Sequence, residues 1–235
     1  MIVLVDERID DTSLLNLKAM GAELFLMPPA SYLQKGVASH PDMLVFCAFG
    51  RLFCHAKYYK EHKELIDAII CTSRLKLTLS DENTGSEYPC DVLFNAALVG
   101  DTLVCNRKTV STLILAAAED AGCKILHVPQ GYTKCSTAVV SDNAIITADK
   151  PIFNACLSAG IDALLVSADG VDLPDYNCGF IGGASGAFGD NMFFCGNITL
   201  HPDGEAISIF CQKHDKTAVS LSNKKLFDVG TMIFI

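Results

Sequence analysis

No uninterrupted apolar run of about 18 residues occurs in the chain, so no segment reads as a membrane-spanning helix. The opening stretch, MIVLVDERIDD, meets acid after five residues. It lacks the basic start and long apolar centre of a secretory leader, so it reads as a buried first strand and the protein is expected in the cytoplasm. Positive charge is scarce: 18 Lys and Arg stand against 27 Asp and Glu, for a net charge of −9. A nucleic-acid groove needs a basic footprint, and the longest basic cluster, Asn223-Lys224-Lys225, reads as a solvated turn. Neither a nucleic acid nor a membrane is therefore expected as a partner. Among the 11 cysteines no CxxC pair occurs, which removes the spacing of structural zinc and of dithiol redox chemistry. No metal or cofactor is expected.

Half of the 235 residues are hydrophobic, enough for one large core or two small ones. The chain is also an internal repeat. Residues 40–80 (HPDMLVFCAFGRLFCHAKYYKEHKELIDAIICTSRLKLTLS) read as strand, turn at Phe49-Gly50-Arg51, strand, amphipathic helix and strand. Residues 90–130 give the same order, with a turn at Gly100-Asp101 and a helix ending near Gly122. A third copy starts at YTKCSTAVVSDNAIITADK, residues 132–150, turns at Ser141-Asp142-Asn143, and has Gly160 after its helix. The fourth, residues 182–222, turns at Gly189-Asp190-Asn191, with a helix expected from about Pro202.

The two ends complement each other. The first 29 residues supply strand, helix and strand, and LFDVGTMIFI supplies a lone strand headed by Asp228. Five ββαβ units then form one domain over residues 1–235, closed by pairing the last strand with the first, which leaves no terminal edge exposed. Cys54, Cys105 and Cys195 fall in one repeated slot and read as buried, unreactive core thiols facing the helix of their unit.

Five such units in a ring resemble the pentein fold, the α/β-propeller of arginine deiminase, agmatine deiminase, dimethylarginine dimethylaminohydrolase and the amidinotransferases. Translation initiation factor 6 belongs to its non-enzymatic branch. The chain is also similar to a bacterial branch described only as having the guanidine-modifying-enzyme fold. The resemblance implies a site where the first strands meet the axis: at Asp228, His40 to Asp42, Cys90 to Asp91, Lys134 to Ser136, and Cys178 to Ser185. It also implies a His-x-Asp in one repeat, a Cys-x-Ser or Cys-x-Thr two repeats later, and an acid in the repeat before the His. His40-Pro41-Asp42, Cys135-Ser136-Thr137 and Asp228 keep that relative order, shifted by one repeat. Where the family has a nucleophile in Gly-Gly-x-x-Cys, this chain has Gly186, in Gly182-Gly183-Ala184-Ser185-Gly186.

The implied reaction needs a thiolate to attack a guanidinium carbon, a group to protonate the leaving amine, and carboxylates to hold the cation. Cys135 is the candidate nucleophile and the expected most reactive thiol, with Lys134 beside it to lower its pKa. His40 is the candidate acid and base, and Asp228 the acid beside it. Asp42, Asp91 and Asp228 are candidates to grip the cation. Asn95, Ser136, Cys178 and Ser185 complete the expected binding positions. In GFIGGASGAFGDN, residues 179–191, the amides of Gly182 and Gly183 are candidate donors, or mark close backbone approach to the axis.

Each assignment has a bland counterpart. The aspartates could bond neighbouring amides. His40 could cap a turn, Cys135 and Cys178 could be packed thiols, and His127 and His201 read as structural. His55 would point away from Cys54 on a strand, which disfavours a metal pair. Two functions stay open: a cysteine-dependent guanidino hydrolase or amidinotransferase, and an inert member of the fold that binds a small molecule or a protein.

Overall fold

A computed structural model describes residues 1–235, and each repeat becomes a hairpin, a helix and a strand parallel to the hairpin's second arm. The chain opens with β1 (Ile2–Asp6), α1 (Asp11–Ala19) and β2 (Glu23–Met27). The second unit is α2 (Pro41–Leu44), β3 (Val45–Ala48), β4 (Arg51–His55), α3 (Ala56–Glu61), α4 (Lys63–Ser73) and β5 (Lys76–Ser80). The third is β6 (Ala97–Val99), β7 (Thr102–Cys105), α5 (Thr112–Asp120) and β8 (Lys124–His127). The fourth is α6 (Thr133–Ser136), β9 (Thr137–Ser141), β10 (Ala144–Thr147), α7 (Lys150–Ser158) and β11 (Asp162–Leu165). After β12 (Val171–Asp172) come β13 (Ser185–Phe188), β14 (Asn191–Phe194), α8 (Gly204–Lys213) and β15 (Thr217–Ser220), then β16 (Leu226–Phe227) and β17 (Ile233–Phe234).

Local chemistry explains these boundaries. Asp10, Ser111 and Asp149 cap α1, α5 and α7 by accepting amides of the first turn. Gly122 and Gly160 follow α5 and α7 at φ 72° and 83°, a left-handed conformation that stops a helix without a Cβ clash. The fifth unit's helix starts at Gly204, two residues later than Pro202, because residues Ile198–Leu200 form a 3₁₀ turn first. No helix is long and apolar enough to cross a membrane.

The strands form five three-stranded sheets in the orders β17-β1-β2, β3-β4-β5, β6-β7-β8, β9-β10-β11 and β13-β14-β15, with a small β12-β16 pair outside the repeat. The last strand does pair with the first: Val3 faces Phe234 and Leu4 faces Ile233, antiparallel, and Ile2 and Ile235 exchange amide bonds of 3.1 and 3.0 Å.

Five apolar clusters lie between successive sheets. Leu4 of the first sheet packs with Leu52 and Cys54 of the second and Ile66 and Ile69 of α4. Phe46 and Phe53 meet Leu103, Cys105 and Ile114 across the second and third sheets. Val104 meets Ile145 and Ile152, and Ile146 meets Phe194 and Ile207. Phe193 and Cys195 of the fifth sheet pack with Val3, Val5 and Leu17 of the first unit. Each of these helices thus fills a wedge between its own sheet and the preceding one.

Cys54, Cys105 and Cys195 are buried, and burial pushes their thiols up to about 12, 11 and 12. Cys195, however, does not share the slot of the other two. Its side chain sits on the face toward α1 of the first unit, and Phe194 occupies the position against α8. The alternation of side chains along a strand makes the one-residue offset a change of face.

Candidate active site

Two of the polar stretches leading into a first strand are single helical turns rather than extended strand starts. Pro41 opens α2, which carries Asp42, and Thr133 opens α6, which carries Lys134, Cys135 and Ser136. The first amides of a helix have no partner within it. Here other units supply them: the Asp42 amide donates to Gly230 O (3.0 Å), and Asn95 Oδ1 accepts from the amides of Lys134 (2.7 Å) and Cys135 (3.2 Å).

The same Asn95 turns its Nδ2 to Cys135 Sγ (3.0 Å) and Asp42 O (3.3 Å). Cys135 Sγ in turn donates to Asp42 Oδ2 (3.2 Å), which also accepts from Thr231 Oγ1 (2.7 Å). Burial, then the charges of Asp42 and Asp228, push the Cys135 thiol well above its ordinary value. The sequence expectation that Lys134 would lower it fails. The Lys134 ammonium donates to Thr137 O and Thr231 Oγ1, both at 3.3 Å, and burial pushes its own pKa down. Cys135 is only 3% exposed, whereas Cys71 is exposed, so Cys135 is not the most accessible thiol.

His40 is buried between two carboxylates. Its Nδ1 lies 3.8 Å from Asp228 Oδ1 and its Nε2 3.7 Å from Asp6 Oδ2, and neither nitrogen has a hydrogen-bond partner. Asp6 is held by Arg8, whose Nε stands 2.9 Å from Oδ1 and whose Nη2 stands 2.5 Å from Oδ2. Asp228 accepts the amides of Phe180 (2.8 Å) and Gly230 (2.9 Å); burial pushes it up, against the pull of His40.

His40, Cys135, Asp228 and Cys178 line one cavity of about 280 Å³. A second cavity, of about 250 Å³, is lined by residues of all five leading strands, with Asp42, Lys134, Ser185 and Thr231 among its walls. Ser136 and Cys178 also line a third, smaller one of about 120 Å³. The three aspartates expected to grip one cation are therefore divided. Asp228 alone shares the cavity of His40 and Cys135, while Asp42 lines the second cavity. Asp91 accepts the Tyr132 hydroxyl (2.5 Å) and lines none of these three cavities.

Of the two glycine amides expected as donors, that of Gly183 is already taken. The Gly183 amide donates to Cys135 O (2.9 Å), and Gly182 O accepts from the Ser185 hydroxyl (3.2 Å). A Cβ on Gly182 would stand 2.4 Å from Lys134 O, and one on Gly183 would stand 2.0 Å from Asp228 Oδ1. Both are glycines because two backbones and a buried carboxylate meet there. Gly186, at the position of the family's final-repeat nucleophile, packs against Met232 O, which a Cβ would approach to 2.3 Å.

Sequence reasoning missed Asp6, Arg8, Tyr132, Phe180 and Thr231. Asp6 was legible only as the acidic stop after the first strand, and Arg8 was not singled out at all. Thr231 is buried at φ 68°, a strained conformation for a β-branched residue that its sequence context does not announce.

No curated protein matches the chain. Among solved structures, dimethylarginine dimethylaminohydrolase from Pseudomonas aeruginosa, a mutant complexed with citrulline, superposes with a TM-score of 0.59 at 10% identity, over 94% of this chain and 91% of that one. Agmatine deiminase of C. jejuni gives 0.55 at 10% identity over 98% and 94%. An amidinotransferase of saxitoxin biosynthesis from Microseira wollei gives 0.55 at 10% identity over 94% and 80%. These likenesses show the mixed α/β pentein fold. Residues 4–233 match the model of a protein family described as "Family of unknown function (DUF6873)", and the chain belongs to that family.

Proposed function

We propose that the five sheets close into a single five-bladed ring and that the cavity of His40, Cys135 and Asp228, at the entry to the leading strands, is its functional site, taking a guanidinium cation and modifying it through a cysteine nucleophile. Closure is supported by the β1–β17 pairing and by the wedge shared between the fifth and first sheets. The observation that carries the function is that the thiol, the histidine and a carboxylate, drawn from three separate segments, line one cavity.

The resting thiol is neutral and donates to Asp42. A cation entering between Asp228 and the thiol offsets the two carboxylate charges that hold the proton on sulfur, and Asp42 takes that proton. The thiolate then forms a C–S bond to the guanidinium carbon. His40, set between Asp6 and Asp228, delivers a proton to the departing nitrogen as the C–N bond breaks. Attack by water or an amine on the resulting S-linked amidine releases the thiol and completes hydrolysis or amidino transfer.

A second reading is that the ring binds without catalysing. Its support is the same neutral, carboxylate-bound thiol together with Gly186 where the family has a nucleophile. Arginine, agmatine, methylated arginines and guanidino acids, assayed for ammonia, amine or ureido-product release, separate the two. Turnover that disappears in Cys135→Ser supports catalysis. Saturable binding with no turnover supports the inert reading.

A further inference from the structure

The cavity of His40, Cys135 and Asp228 is one-sided in charge. No Lys or Arg lines it, and its one basic side chain, His40, already lies between Asp228 and Asp6. Further carboxylates stand around it: Asp91 holds the Tyr132 hydroxyl, and the charges of Asp91 and Asp175 act on Tyr176, opposed by the weaker effect of Arg8. The two nearby cations are committed elsewhere. Arg8 is bound to Asp6 and to Gly36 O (3.0 Å), and Lys134 lines the second cavity. Apart from the neutral amide of Asn177, the remaining walls are mostly aromatic and apolar: Tyr132 and Phe180 stack with centroids 6.2 Å apart, beside Val37, Leu173 and Tyr176. The volume, about 280 Å³, sits just below the usual range for ligand cavities, about 300–1,000 Å³.

We propose that this pocket takes a small guanidinium or amidinium cation whose other substituent is apolar and carries no carboxylate. The inference rests on the guanidinium reading of the same pocket and narrows its substrate class. A carboxylate on the ligand would lie against aromatic and aliphatic walls without a cationic donor, among carboxylates of its own sign. An unpaired charge in such a place is costly. The delocalised cation at the other end meets the Asp228 carboxylate and ring faces, both of which attract it.

The test is calorimetric titration of the full-length protein with butylguanidine, 4-guanidinobutyrate and butylurea. The first two differ only by a terminal methyl against a carboxylate, and the third is the neutral counterpart. Butylguanidine is expected to bind at least tenfold tighter than either of the others. Equal or tighter binding of 4-guanidinobutyrate overturns the substrate class and leaves the guanidinium reading standing. Equal binding of butylurea, or no binding of any of the three, overturns both. Tyr176, 42% exposed on the cavity wall, gives the positional control. Tyr176→Lys is expected to cut the preference for butylguanidine over 4-guanidinobutyrate at least threefold, and an unchanged ratio overturns the assignment to this pocket.

Discussion

Replacing Asn95 by Leu, close to isosteric, removes a cap that reaches α6 from another unit. Asn95 is buried, and its Oδ1 is the acceptor for the amides of Lys134 and Cys135. Tyr132, at the N-cap of α6, supplies no side-chain bond that could take over. Two buried donors left unsatisfied at about 1–3 kcal/mol each amount to a loss of roughly 2–6 kcal/mol. In a chain of this size each kcal/mol lowers the melting temperature by about 2–4 °C, so a drop of roughly 4–24 °C is expected. Asn95→Asp keeps the acceptor and is expected to lose less than Asn95→Leu. Urea and thermal unfolding of the three proteins measure this directly. A loss below about 1 kcal/mol in Asn95→Leu would show that water or another group satisfies α6, and the account of how Cys135 is positioned would be wrong.

Brief limiting alkylation followed by peptide mapping is expected to label exposed Cys71 first and Cys135 slowly at neutral pH, faster as rising pH ionises its elevated thiol; label on Cys135 ahead of Cys71 at pH 7 would refute the burial argument. Deleting residues 228–235 should abolish cooperative unfolding, since it removes β17 from β1 and opens the wedge at Val3 and Val5; a cooperative transition in the truncated protein would contradict this. Cys135→Ser should bind butylguanidine within about threefold of the parent yet lose all turnover, because a hydroxyl lacks a comparably accessible anion; residual turnover at the parental rate would exclude Cys135 as nucleophile.

The repeat was legible because hydrophobic periodicity and turn residues recur: Gly50, Gly100 and Gly189 all take positive φ in hairpin turns. The pairing of the termini was legible from the half-unit missing at each end. The direction of Cys195 was not, because aligning repeats by residue type ignores a one-residue offset that exchanges the two faces of β14. At the site, repeat position alone brought His40, Cys135 and Asp228 to one cavity. It could not distribute their partners. Asp91 and Asp42 sit at similar distances from their turns, yet Tyr132 claims the first while Thr231 and the thiol claim the second. Those partners come from 41 to 189 residues away, a distance over which local pattern carries no information. The expected effect of Lys134 on the thiol failed for a related reason. Adjacency in sequence said nothing of the ammonium's turn toward Thr231 or of the two carboxylates near the sulfur.

The central claim is that Cys135 attacks a guanidinium carbon in the cavity it shares with His40 and Asp228. Rapid acid quenching of the protein with butylguanidine, followed by peptide mass spectrometry, tests it most directly. The account expects an S-linked amidine on the Cys135 peptide, absent in Cys135→Ser and more abundant when the second half-reaction is slowed. Product release accompanied by an adduct on a different cysteine would contradict it.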